Sequence, residues 1–134
     1  MTMGTMVLPI AQVELVAGDA PAALKIVEDS LVWIRERGEL VWESEALRLR
    51  GDCELASGDV AGAEKSYRTA IEVARNQGAL LFELRAACAL CRLYEAQGRE
   101  AEGRNMLQPV FDVMTEGRES ADLREAAELL GIQR

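Results

Sequence analysis

The chain has 134 residues, 49% of them apolar, which suits one domain spanning 1–134 with a continuous buried core and argues against two. Fifteen basic residues against 23 acidic ones give a net charge of −8, so a phosphate backbone is repelled and nucleic acid is not an expected partner. Histidine is absent, which removes the usual general base near neutral pH and the commonest metal ligand, and no apolar stretch approaches the ~20 residues that span a bilayer.

Glycine recurs at Gly18, Gly38, Gly58, Gly78 and Gly98, every 20 residues, with Gly117 one residue short of a sixth. That period is the mark of a helical repeat, in which each helix stops at a residue able to take a left-handed conformation. It predicts seven helices, at roughly 6–17, 20–37, 40–57, 60–77, 80–97, 100–115 and 120–130.

The first segment, through Ala17, lacks the basic start and cleavage site of a signal peptide, so a cytoplasmic protein is expected. Its residues Met3, Met6, Val7, Leu8, Ile10, Ala11, Val13, Leu15 and Val16 leave little polar surface. A terminal helix of a repeat array needs a polar outer face. Met6, Val7, Ile10 and Val13 are therefore expected to meet either further repeats of a longer parent or a second copy in a homodimer.

The second segment carries Ala23, Val27, Ser30, Leu31 and Ile34, which a shift of 40 places on Ala63, Tyr67, Ala70, Ile71 and Ala74. A third copy reads Gly103, Leu107, Val110, Phe111 and Met114. Each set occupies one stripe of a helix and opens with a small residue that lets a neighbour approach. Asp19 and Asp59 follow glycines where a carboxylate can cap the next helix, Pro21 sits in a tolerant first turn, and Ser120 can cap the last helix.

The third and fifth segments also correspond, with Leu40, Val41, Trp42, Glu43 and Ala46 matching Leu80, Leu81, Phe82, Glu83 and Ala86. Pro109 in the sixth segment is expected to kink or divide its helix. In the last, Leu123, Ala126, Ala127 and Leu130 form one apolar stripe, with Asp122, Arg124, Glu125 and Glu128 outside it, as a capping helix requires.

Cys88 and Cys91 form a C-x-x-C, but no second cysteine pair or histidine completes a zinc site, and the pair falls in mid-helix, so core packing is expected for both and for Cys53. With three cysteines and no export signal, a disulfide framework is not expected. Glu43 and Glu45 have the look of an acid and base pair, yet they sit on a helix dense in alternating charge, which reads as a solvated face. No catalytic residue, metal or cofactor is assigned.

Gly51, Gly58, Ala63, Tyr67 and Ala70 occupy the small, turn, small, aromatic and small positions of a tetratricopeptide repeat, and Leu90, Cys91, Tyr94, Gly98, Gly103 and Leu107 fit the same frame. The chain resembles a tetratricopeptide-repeat protein over nearly its whole length, with a 40-residue period in place of the usual 34 or so. Ala46-Leu47-Arg48-Leu49-Arg50-Gly51, Ala74-Arg75-Asn76-Gln77-Gly78 and Glu83-Leu84-Arg85-Ala86-Ala87 resemble the C-terminal repeats attached to bacterial adenylate/guanylate cyclases and ATPase-type transcriptional regulators. The first copy departs from the pattern, with Glu14 where the third has Tyr94 and Val27 where the second has Tyr67.

The resemblance implies an all-α, right-handed α-solenoid of three helix pairs (6–38, 40–78, 80–117) and a capping helix at 120–130. It also implies a non-catalytic protein-protein interaction or regulatory module of a bacterial signalling system. Exposed residues of the first helix of each pair would line a groove for a protein or peptide: Glu45, Arg48 and Asp52, then Arg85, Arg92 and Glu95. Arg48 and Arg85 stand at basic positions of a carboxylate clamp, but Asp52 and Ala89 replace its other polar members. The alternatives are an internally paired surface, a small-molecule sensor using the same groove, or a homo-oligomerisation scaffold.

Overall fold

The computed structural model describes residues 3–114 and 121–132, with side chains from residue 8 onward. It contains α1 (Met3–Val16), α2 (Ala20–Arg37), α3 (Glu43–Ala56), α4 (Val60–Gln77), α5 (Leu80–Ala96), α6 (Glu100–Val113) and α7 (Ala121–Leu130). No strand occurs among the described residues. Gly117 and Ser120 lie outside them.

One device ends five successive helices. The glycine after each takes a positive φ, as at Gly58 (φ 88°), and the next residue donates its N–H to a carbonyl five residues back: Asp19 to Glu14, Glu39 to Ile34, Asp59 to Glu54, Ala79 to Ala74 and Arg99 to Tyr94, at 2.7–3.0 Å. This satisfies carbonyls the helix leaves free and reverses the chain at a position where a Cβ would be strained. Asp19 and Asp59 then cap the following helices, Asp59 Oδ1 accepting from the Gly62 N–H at 2.9 Å. Asp59→Ala should lower stability by about 1 kcal/mol, read as a shift in the urea midpoint at unchanged slope.

Two expectations change. The segment at 40 does not enter its helix directly, because Leu40–Trp42 forms a 3-10 turn before α3. Trp42 and Phe82, 40 residues apart, meet with ring centroids 6.1 Å apart and planes tilted by 37°, while Gln77 donates to the Leu40 carbonyl at 2.9 Å. Pro109 does not divide α6, which runs unbroken from Glu100 to Val113.

Each helix packs against the next, and α1, α3, α5 and α7 also touch in succession. The stripes inferred from the 40-residue shift occupy corresponding interior places. Ala23, Val27, Ser30, Leu31 and Ile34 are buried, as are Ala63, Tyr67, Ala70, Ile71 and Ala74, and then Gly103, Leu107 and Val110. Phe111 and Met114 are half-buried at the margin. Small residues sit where neighbouring helices approach most closely: a Cβ on Gly51 would stand 2.5 Å from the Tyr67 ring, and one on Gly103 would stand 3.0 Å from Cys91 Sγ.

Candidate functional site

The odd-numbered helices converge on a hollow of about 320 Å³. Helix α3 supplies Glu45 and Arg48, one turn apart; α5 supplies Arg85 and Arg92, two turns apart; α7 adds Asp122 and Glu125, and α1 adds Gln12. These side chains share a face because each is set opposite or beside a row that packs inward: Leu47 and Leu49 in α3, Leu84 and Cys88 in α5, Leu123 and Ala126 in α7.

The charges are paired both within α3 and between helices. Arg48 Nη2 donates to Glu45 Oε2 at 2.9 Å, and its Nη1 to Asp52 Oδ2 at 3.2 Å. The other Asp52 oxygen accepts from the Tyr67 hydroxyl. Arg85 Nε donates to Asp122 Oδ2 at 3.1 Å, its Nη1 stands 3.5 Å from Glu45 Oε1, and Arg92 pairs with Glu125. Desolvation pulls the Arg48 pKa down, but the hydrogen bond to Glu45 and the charges of Glu45 and Asp52 outweigh it and leave it raised. The Tyr67 hydroxyl is pushed well up, first by burial and then by Asp52.

The structure corrects the expectation that all six groove residues are open to a partner. Glu45 is buried, its side chain only 10% exposed, and Arg48 is 16% exposed. An i,i+3 carboxylate and guanidinium neutralise one another on the inner face, so charge there did not mean solvation. Asp52 turns to Arg48 and Tyr67, outside the lining of the hollow, and Glu95 is a half-buried residue of α5 that also lies outside it. Arg85 and Arg92 do reach the hollow, Arg92 being the most open of the arginines there at 48%. Gln12, Asp122 and Glu125 were missed. The two acids carried a signal, an i,i+3 pair beside an apolar stripe, which read equally well as a solvated outer face.

Glu43 and Glu45 do not form a working pair of carboxylates, since Glu43 accepts from Arg35 at 2.8 Å while Glu45 belongs to Arg48. A larger hollow of about 490 Å³ lies among α4, α5 and α6, where Arg99 and Arg68 stand 4.2 and 5.8 Å from the Tyr94 ring centre. Both arginines pair with Glu64. Among the described residues, its lining has no buried polar atom lacking a partner.

At the N-terminal end, Ile10 and Val13 are exposed, Val13 at 66%, with Val16 beyond them. The side chains of Met6 and Val7 lie outside the described residues.

Cys53, Cys88 and Cys91 are free thiols in the core. Burial pushes Cys53 up to about 11 and Cys88 up to about 12, from a starting value of 9.0, and raises Cys91 as well. A thiol whose folded pKa exceeds its unfolded one stabilises the fold fully below the unfolded value and loses that contribution as pH rises through the folded value. Stability should therefore hold to about pH 9 and fall progressively towards 11 and 12. Denaturant midpoints across that range test the slope, and a thiol reagent at pH 8 should modify the three cysteines slowly until denaturant is added. Compared with known proteins, the chain matches no family model and no curated protein.

Proposed function

We propose that this chain is a non-catalytic interaction or regulatory module that engages a protein or peptide partner at the charged hollow. The supporting architecture is a right-handed α-solenoid of three tetratricopeptide-like pairs capped by α7, a reading that rests on the 40-residue register and on the succession α1, α3, α5, α7. The observation that carries the function is the convergence of charged side chains from α3, α5 and α7 on one concavity. Pairs such as Arg92 with Glu125, both well exposed, contribute little to the fold and are available for exchange with charges on a partner. The resemblance of Ala46 to Gly51 and of Glu83 to Ala87 to repeats of bacterial signalling proteins supports a cytoplasmic regulatory setting.

The test is capture from lysate of the source cell, identified by mass spectrometry, using wild type and a Gln12→Ala/Arg92→Ala variant. Both positions are exposed, so the melting temperature should hold while capture is lost. Equal capture by the variant refutes the hollow as the contact. A second reading, self-association through α1, is favoured by the exposure of Ile10, Val13 and Val16 on a helix with little polar surface. Sedimentation over a wide concentration range, with Val13→Lys as the comparison, decides it: a concentration-independent monomer removes this reading.

A further inference from the structure

Two residues that line the hollow each carry a polar atom without a hydrogen-bond partner. Glu45 Oε1 accepts no hydrogen bond, and Arg48 Nε donates none, although both atoms are buried. A buried polar atom left without a partner costs free energy; Glu39 Oε1 and Trp42 Nε1 also lack hydrogen-bond partners, but only the Glu45 and Arg48 atoms belong to residues lining the hollow. Arg85 Nη1, 3.5 Å from Glu45 Oε1, supplies charge without a hydrogen bond.

The lining also restricts what can enter. It sets the carboxylates of Glu45, Asp122 and Glu125 against the guanidinium groups of Arg48, Arg85 and Arg92, so the charges balance. A simple anion would face three carboxylates and a simple cation three arginines, each paying desolvation without a full return. A ligand with one charge of each sign, close together, meets a partner for both. The volume, about 320 Å³, lies at the small end of ligand sites, and suits a molecule the size of one or two amino-acid residues.

Resting on the reading of this hollow as the binding site, we infer that it takes a small zwitterion of the free α-amino-acid class. The ammonium group donates to Glu45 Oε1, and the carboxylate accepts from Arg48 Nε and from the guanidinium of Arg85. Neither atom is open to solvent in the free protein, so binding turns the Glu45 and Arg48 side chains towards the ligand, and both atoms then gain partners.

Calorimetric titration of the full chain with a panel of free amino acids at millimolar concentration tests this, each compared with its N-acetyl and its carboxamide derivative. At least one free amino acid should bind, with either blocked form weaker by about tenfold or more, because each block removes one charge-assisted contact. Glu45→Gln should weaken the same amino acid by a similar factor. If that variant fails to fold, the blocked ligands on wild type still decide. Absence of binding across the panel, or equal binding of the blocked forms, overturns the inference. If the amino acids fail while the Gln12→Ala/Arg92→Ala variant still loses its protein partner, this inference falls and the interaction reading stands; amino-acid binding with undiminished capture does the reverse.

Discussion

Gly51→Ala will destabilise the protein by about 2–4 kcal/mol, although alanine favours a helix interior over glycine by about 1 kcal/mol. The added Cβ would lie 2.5 Å from Tyr67 Cε1, 2.7 Å from Cδ1 and 3.0 Å from Cζ. The ring has no room to yield, since Tyr67 is 2% exposed and its hydroxyl is tied to Asp52. Either α3 and α4 move apart, losing packing along the whole Ala63, Tyr67, Ala70 row, or the ring rotates and abandons a charge-assisted hydrogen bond. Tyr67→Leu should itself cost about 2 kcal/mol or more from lost volume and the orphaned Asp52 oxygen. Combined with Gly51→Ala it should cost less than the two changes summed, the sign of coupling expected for groups in steric conflict. Additive effects in denaturant midpoints would show that the close approach of α3 and α4 at this point contributes nothing to stability.

That contact was visible in the sequence as a small residue 16 positions before an aromatic one, because close packing leaves a periodic record of side-chain size. The helix ends were equally legible: Gly18, Gly38, Gly58, Gly78 and Gly98 all take a positive φ. The site was harder to read. Arg85 reaches Asp122 across 37 positions, and nothing local to either residue specifies the pairing, since both look solvated when each helix is taken alone. Glu45 misled for a related reason: the hydrophobic period identifies which face turns inward but not whether a facing arginine allows a carboxylate to follow it. The 3-10 turn at Leu40–Trp42 also escaped, because the same apolar residues suit the first turn of an α-helix, as Leu80–Phe82 do in α5.

Arg48→Met will lower stability by about 3–5 kcal/mol and the melting temperature by more than about 10 °C, whereas Arg92→Ala will cost no more than about 1 kcal/mol. Both residues are arginines of the same hollow, and the difference lies in what each leaves behind. Removing Arg48 leaves the Glu45 carboxylate, which is 10% exposed, with no hydrogen bond from a guanidinium and only the charge of Arg85 3.5 Å from its Oε1, and leaves Asp52 with the Tyr67 hydroxyl alone. Removing Arg92 frees Glu125, which is 40% exposed and returns to water. Adding Glu45→Leu to Arg48→Met should recover most of the loss, because an apolar pair of similar volume incurs no charge desolvation. Recovery would show that the arginine neutralises a buried acid and contributes little else to folding. The acid would then be dispensable for stability, which is the expected behaviour of a residue kept for what it binds. A double variant no more stable than Arg48→Met would instead place Glu45 in the scaffold and remove the reason for regarding its free oxygen as a ligand position.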